Sequence, residues 1–166
     1  GFLRDYYQQT FPVNLSYLQD LIDNLAFDGL WKPFFEAVAR AYHENSSVRD
    51  AMEGERNLQG FLKAYLALSS YYLVEPELEM NYGYCDFFLL PNKQRYPDIK
   101  HSYILELKYA TRNATDKELE AQAEEGRSQL YQYSEDKKVQ ELTEGTTLHR
   151  LLLQFRGWDM VKCEEV

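Results

Sequence analysis

The chain has 166 residues, of which 45 % are hydrophobic and 15 % aromatic, and its formal net charge is −9 at pH 7. This length and apolar content predict one folded domain with a sizeable core, with room for an accessory helical piece. The acidity argues against autonomous, tight binding of nucleic acid, because most of that affinity comes from Lys and Arg on phosphates. No apolar run approaches the ~20 residues of a membrane-spanning helix.

The two cysteines and the amino end bear on the cellular setting. Cys85 and Cys163 have neither CxxC spacing nor the density of a secreted scaffold, so we expect reduced thiols in a cytoplasmic protein. The amino end lacks the basic and apolar regions of a signal peptide. Its first residue is Gly1 rather than Met, which suggests either a residue left by cloning or an internal fragment.

The first half of the chain has the periodicity of helices. Residues 15–25 carry leucine and isoleucine at helical spacing, and a second helix is predicted from Gly29 to about Glu44, with Pro33 in its first turn. Ser46 and Ser47 are predicted to cap a long third helix that reaches about residue 69, with Asp50 completing a capping box.

Glu55 lies on the predicted apolar stripe of that third helix. It precedes Leu58 by three residues and Leu62 by seven, a spacing that places all three on one side. We therefore expect Glu55 to face the core. A carboxylate there is either an ordinary surface residue of the helix or is aimed at a functional site.

The second half changes to a period of two. Residues 72–80, 84–90 and 102–109 are predicted to form three successive strands, and a helix is predicted from Thr115 to about Glu135. Residues 148–155 are a fourth, strongly apolar strand, and residues 158–163 a fifth at an edge. The order helix, three strands, helix, one or two strands predicts an α/β domain with a mixed sheet.

Glu106 and Lys108 carry the strongest chemical signal. They are two residues apart on a predicted strand, so both point to one face. The preceding strand, entered by a turn at Gly83, can bring Asp86 beside Glu106. Two carboxylates with a lysine predict a divalent-metal site next to a cation, which suits phosphodiester hydrolysis.

The alternative for Glu106 and Lys108 is a solvated strand face or a cross-strand ion pair. Their apolar neighbours favour a buried site, because charges are rarely buried without partners. These neighbours are Tyr103, Ile104, Leu105, Leu107 and Tyr109.

Two further positions could complete the site. Glu77 is the central one of three alternate glutamates, which form a solvent-facing edge unless one of them reaches the metal. On the predicted helix after the lysine strand, Gln129 and Tyr133 share a face with Gly126, so they could bind water or phosphate or simply belong to an amphipathic helix.

Other motifs give no chemistry. The three histidines have no ligand spacing and no triad context, and we assign them none; they are His43, His101 and His149. No Gly-rich phosphate loop of the GxxxxGK[ST] kind is present, so this sequence does not itself predict ATP hydrolysis.

Taken with these residues, the chain resembles the PD-(D/E)XK nuclease superfamily, whose restriction-endonuclease-like core runs α-β-β-β-α-β. It is more closely similar to a bacterial group, common in gut Bacteroidetes, in which the nuclease-like domain follows an AAA-type ATPase domain. The segments that carry the resemblance are residues 54–65, 77–86, 103–109 and 129–133, within a matching region of about 48–158.

The resemblance implies roles for five residues. Asp86 and Glu106 would bind Mg²⁺, with Mn²⁺ as an alternative, and Glu55 would support the metal directly or through water. Lys108 would orient or activate water or stabilise the developing phosphorane charge, and Gln129 would position substrate or water. Asp86 follows a cysteine rather than the usual proline, a departure that removes no ligand.

The resemblance also implies a domain arrangement and a function. Residues 1–46 would be a helical connector or the end of an ATPase-like region, and residues 47–166 the nuclease-like domain. We expect Mg²⁺-dependent hydrolysis of DNA, as the effector of an ATPase-linked protein. The alternative is a non-catalytic module that binds nucleic acid or protein on the same fold. The amino-terminal helices and tyrosine-rich surfaces could also serve self-association.

Overall fold

The structure is a computed structural model that describes residues 15–44, 54–76, 79–80, 83–84 and 87–166. The helices are α1 (Leu15–Asp23), continued by a π-helical turn (Asn24–Asp28), α2 (Lys32–Glu44), α3 (Glu55–Leu66), α4 (Asp116–Ser134) and α5 (Lys137–Leu142). The strands are β1 (Tyr72–Pro76), β2 (Glu79–Met80), β3 (Gly83–Tyr84), β4 (Phe87–Pro91), β5 (His101–Ala110), β6 (Thr147–Arg156) and β7 (Asp159–Glu165).

Five strands form one mixed sheet in the order β1-β4-β5-β6-β7. The central pair, β5 and β6, is parallel, and the other neighbouring pairs are antiparallel. A parallel pair needs a long crossover, and α4 with α5 provides it. The described order from α3 onward contains α-β-β-β-α-β, so the predicted restriction-endonuclease-like α/β fold with a mixed sheet is confirmed, and β7 lies at the predicted edge.

Helices cover both faces of the sheet. On one face α1, α2 and α3 share a hydrophobic core with Tyr103, Leu105 and Leu107 of β5. On the other face α4 and α5 pack against alternate residues, including Ile104 of β5 and Leu152 of β6. The period-two alternation of β5 therefore separates two cores, and Glu106 and Lys108 belong to the α4 face.

The predicted third helix is wrong at its beginning. Ser46, Ser47 and Asp50 lie outside the described residues, but the described helix begins at Glu55, with Gly54 as its N-cap. Gly54 has φ of +147°, which no helix accommodates. A single helix from Ser47 to residue 69 therefore cannot form.

The predicted first long strand is also divided. β1 ends at Pro76, and Glu79–Met80 pairs with Gly83–Tyr84 in a separate two-stranded sheet. A proline has no N–H to donate to a ladder, which favours an end of the strand at this position. The alternation of glutamates over residues 75–79 thus does not belong to one continuous strand.

Membrane-spanning helices are absent from the part of the chain that the structure describes. None of its helices has the length and apolar character needed to cross a bilayer.

Candidate functional site

Glu106 and Lys108 lie side by side on the central strand β5. Glu106 is 4 % exposed, and the Lys108 side chain is 14 % exposed, with its Nζ 3.8 Å from Glu106 Oε1. The two groups form an ion pair, but the distance between them is longer than that of a hydrogen bond. The alternative of a solvated strand face is therefore wrong: the charges are enclosed, and the ammonium partly compensates the carboxylate.

The sheet explains why both charges are enclosed. β5 is flanked by β4 and β6, and the parallel register places Leu152 opposite Glu106 and Gln154 opposite Lys108. A buried charge without compensation costs several kcal/mol. At this central position of the sheet, the Glu106 carboxylate therefore requires charged or polar partners around it.

Helix α4 covers Lys108 on this face of the sheet. Thr115 caps it, with its side chain accepting a hydrogen bond from the Glu118 N–H. At Gly126 the helix approaches the sheet so closely that a Cβ would lie 2.7 Å from Leu152 Cδ1 and 3.4 Å from Lys108 Cε. Glycine is thus needed for the close approach, and it brings the neighbouring Glu125 Oε1 to 3.8 Å from Lys108 Nζ.

Gln129 lies one turn further along α4. The helix descends antiparallel to β5, since Gln122 bonds the Tyr109 carbonyl, Gly126 meets Lys108 and Leu130 packs with Ile104. Gln129 therefore stands near the level of Glu106. Its Oε1 is buried and has no hydrogen-bond partner among the described residues.

Tyr133, in contrast, packs in the core. It is buried beside Leu130 and Val139, as the amphipathic-helix alternative predicts. Its ring therefore supports the position of α4 on the sheet rather than the rim of the site.

Of the three other predicted ligands, the structure describes Glu55 alone. Glu55 opens α3 and is exposed, so its predicted core-facing position is wrong, because the helix begins there and leaves its first turn in solvent. The remainder of α3 packs on the opposite face of the sheet from Lys108. Asp86 and Glu77 lie outside the described residues.

The described residues alone do not complete a metal site. Within residues 15–44, 54–76, 79–80, 83–84 and 87–166, no group of three His, Cys, Asp or Glu side chains is placed to hold an ion. Glu106 is the one predicted ligand that the structure both describes and buries.

A hydrogen-bonded glutamine pair near Lys108 was missed from the sequence. Gln154 is fully buried, and its Nε2 donates to the Leu119 carbonyl at 2.8 Å and to Gln122 Oε1 at 2.9 Å. Gln122 in turn donates to the Tyr109 carbonyl at 2.9 Å. These bonds tie the first turns of α4 to β5 and β6. The available signal was a lone polar residue within the apolar run 151–155.

A histidine pair at the other end of β5 was also missed. His101 Nδ1 lies 2.9 Å from His149 Nε2, and His149 Nδ1 lies 3.1 Å from Glu165 Oε2. The Trp31 indole donates to the second Glu165 oxygen at 2.9 Å. Burial lowers the pKa of His101, and His149 lowers it further. The residues are 48 apart in sequence, so no spacing motif could reveal the pair.

Comparison with protein-family models gives one match. The model described as "PD-(D/E)XK nuclease superfamily" matches residues 53–165, which include β5 and α4. Neither the curated proteins nor the solved structures compared with the chain give a significant match. Together with the α-β-β-β-α-β order and the Glu-x-Lys strand, this match shows that the chain belongs to the PD-(D/E)XK nuclease superfamily.

Proposed function

We propose that this chain hydrolyses phosphodiester bonds of DNA with Mg²⁺, or Mn²⁺ in its place. The observation that carries the proposal is the enclosed Glu106–Lys108 pair on the central strand, within a chain of this nuclease superfamily. A glutamate and a lysine that served only stability would be more easily kept on the surface, because burying the pair is costly.

The residues present fit a hard divalent cation. Mg²⁺ prefers oxygen ligands, and the site offers the Glu106 carboxylate and the buried Gln129 Oε1, which has no hydrogen-bond partner among the described residues. We propose Glu106 and Asp86 as its ligands, with Glu55 or Glu77 in support. When bound, the cation would lower the pKa of water and offset the charge that develops on phosphate.

Asp86 enters the proposal through the strand register. The described antiparallel ladder pairs Phe87 with Leu105 and Phe88 with Ile104. Asp86 is the next residue in the chain before Phe87, and that register continued by one step would pair it with Glu106. The support for Asp86 as the second ligand is thus the register of β4 against β5.

The chain's own residues would do the rest. Lys108 Nζ can hold a water or a phosphate oxygen by donating hydrogen bonds, since an ammonium has three donors and no acceptor. Its positive charge would stabilise the pentacovalent phosphorane as negative charge builds on it. Gln129 would orient water or substrate from α4, because its Oε1 is an acceptor that this structure leaves unused.

The finer proposal is that the domain acts as the effector of an ATPase-linked protein, with residues 1–46 as the connector. The net charge of −9 supports a division of labour, because an acidic domain needs another part to hold nucleic acid. The experiment is to compare DNA cleavage by this chain with cleavage by a longer protein that carries the ATPase-like part.

The test of catalysis uses plasmid and single-stranded DNA at low ionic strength, with Mg²⁺, with Mn²⁺ and with EDTA. Glu106→Gln, Lys108→Ala and Asp86→Asn should each reduce metal-dependent cleavage by at least about 100-fold, a loss of the size seen for single groups that stabilise transition states. Cleavage should be absent in EDTA.

The matched control is Lys162→Ala. Lys162 is a partly exposed lysine on β7, paired with Glu120 at 3.5 Å, and its register partner Gln154 is also the partner of Lys108. Its loss should leave cleavage within about two-fold. No cleavage by the chain or the ATPase-linked protein under any metal, with nucleic-acid binding unchanged in the variants, would rule out the nuclease.

The alternative function is a non-catalytic module that binds a partner through the same fold. Its supporting observation is the acidic outer surface of α4, where Glu120, Glu124 and Glu125 are exposed. Such a surface repels a polyanion and favours a basic protein partner. Binding that survives Glu106→Gln and Lys108→Ala, without cleavage, would support this function.

A further inference from the structure

Glu125 stands at the rim of the candidate site. Its Oε1 lies 3.8 Å from Lys108 Nζ, the same separation as that between the ammonium and Glu106 Oε1. The Glu106 side chain is enclosed, whereas that of Glu125 is 65 % exposed. The Lys108 ammonium therefore lies between a buried carboxylate and one that is open to solvent.

The backbone holds Glu125 at this place. Its neighbour Gly126 sits against the Lys108 stem and Leu152, so closely that a Cβ there would lie 2.7 Å from Leu152 Cδ1. Contact between α4 and the sheet thus fixes the backbone position of residue 125, even though its side chain is exposed.

We propose that Glu125 determines the affinity of the site for its anionic substrate, by occupying the position at Lys108 that a substrate phosphate must take. This inference rests on the proposed function. A carboxylate and a phosphate are both oxygen anions that bind an ammonium through the same donors. Glu125 is the exposed one of the two carboxylates beside Lys108, so an incoming phosphate meets its negative charge and has to displace it.

The contact has the properties of a displaceable one. At 3.8 Å it is an ion pair without a hydrogen bond, and exposed ion pairs contribute little to stability. A phosphate can therefore replace the carboxylate without unfolding α4. The buried Glu106 is not open to the same exchange.

The adjacent residue provides a matched control. Glu124 is 68 % exposed and also forms an ion pair, but with Arg127 on the other flank of α4, where Arg127 bonds Glu164 of β7. Glu124→Gln and Glu125→Gln thus remove the same charge from neighbouring, equally exposed positions. Only the second removes the contact with Lys108.

The experiment measures kcat and KM for a short DNA duplex with Mg²⁺ at low salt. Glu125→Gln should lower KM about five-fold, the change expected when one charge about 4 Å away in water is removed, with kcat within about two-fold. Glu124→Gln should change KM less than two-fold. Glu125→Asp, which keeps the charge but shortens the side chain, should lower KM part of the way.

A second measurement does not depend on cleavage. Acylation of Lys108 by an amine-reactive reagent, followed by peptide mass spectrometry, should be at least two-fold faster in Glu125→Gln than in Glu124→Gln. Inorganic phosphate should slow the reaction of Lys108 more strongly in Glu125→Gln than in the unchanged chain.

The outcomes separate this inference from the proposed function. Equal KM changes in the two glutamine variants, a fall in kcat at constant KM, or Lys108 acylation that does not respond to Glu125→Gln would overturn the role of Glu125. If the unchanged chain cleaves no nucleic acid but the acylation and phosphate results are as expected, the competition at Lys108 stands and the nuclease proposal fails.

Discussion

At the scale of single residues, charged and titratable side chains lie towards both ends of β5. Lys108 lies 3.8 Å from both Glu106 and Glu125. Towards the other end, burial lowers the pKa of His101 and the neighbouring His149 lowers it further, against a smaller opposing effect of Asp28. The fold therefore disfavours the charged form of His101.

The lowered pKa of His101 predicts a pH dependence of stability. A histidine whose folded pKa lies below its unfolded value of ~6.5 stabilises the fold fully above that pH. This contribution is lost as the pH falls from there through the folded pKa. We expect the free energy of unfolding to decrease between about pH 7 and about pH 5, measured by urea denaturation.

The variant His101→Gln tests the source of this dependence. Glutamine does not titrate, so the decrease in unfolding free energy over that pH range should be smaller than in the unchanged chain. The comparison concerns the slopes, since loss of ring packing against Gly29 lowers stability at every pH. Equal slopes would show that groups other than His101 dominate the acid response.

At the scale of elements, α4 is the helix on which the site depends. Its first turns are tied to the sheet by Gln122 and Gln154, and its middle meets the sheet at Gly126. The helices of the amino-terminal half, α1 to α3, pack on the opposite face of the sheet. A change in the position of α4 on the sheet would therefore move Glu125 and Gln129 together relative to Lys108.

Replacing Gly126 with alanine should expose this dependence. The added Cβ would lie 2.7 Å from Leu152 Cδ1, and Leu152 is fully buried, so overpacking should cost about 1–3 kcal/mol. The helix propensity of alanine returns up to about 1 kcal/mol of this. Urea denaturation should therefore show a net loss of up to about 2 kcal/mol.

The control for that substitution is Ser128→Ala, at an exposed position of the same helix. It should be neutral or stabilise by up to about 0.5 kcal/mol. A Gly126→Ala variant as stable as Ser128→Ala would mean that α4 can shift outward freely. The tight contact proposed to place Glu125 would then not hold.

At the scale of the whole molecule, the conflict between the proposed catalytic role of the enclosed Glu106–Lys108 pair and a net charge of −9 has a measurable consequence. An acidic chain that cleaves DNA without its partner should do so weakly, and through few phosphate contacts. Each neutralised phosphate makes affinity fall by about one power of the salt concentration.

We therefore expect DNA cleavage by this chain to decrease several-fold between about 50 and about 200 mM salt. The measurement is the initial rate with Mg²⁺ at subsaturating DNA, with circular dichroism at each salt concentration to show that the fold is intact. A rate independent of salt would contradict phosphate-dominated binding. It would also weaken the need for an ATPase-linked partner that holds the nucleic acid.

Much of the architecture follows from local patterns. The alternation of residues 102–109 places Glu106 and Lys108 on one face whatever the rest of the chain does, because side chains alternate along every strand. Thr115 and Glu118 mark the start of α4 by capping, and the apolar run 148–155 predicts a strand. These features require neighbours within a few residues, so the sequence contains them.

The errors arose where a local pattern continued across a break. The glutamates at 75–79 keep a period of two, yet β1 ends at Pro76 and pairs with β4, not with the hairpin of β2 and β3. Likewise Glu55 has the spacing of the apolar stripe, but Gly54 starts the helix there and leaves it in solvent. Periodicity gives the side of an element, not where the element ends.

The sequence by itself determined the mixed α/β order, the shared face of Glu106 and Lys108, and the resemblance to the nuclease superfamily. Only the tertiary structure decided that this pair is enclosed, that Gly126 seats α4 upon Lys108, and that Glu125 shares its ammonium. It likewise joined His101 to His149 and Gln154 to Gln122. The physical reason is distance along the chain: burial and pairing arise between residues far apart in sequence, where no local period or cap can specify them.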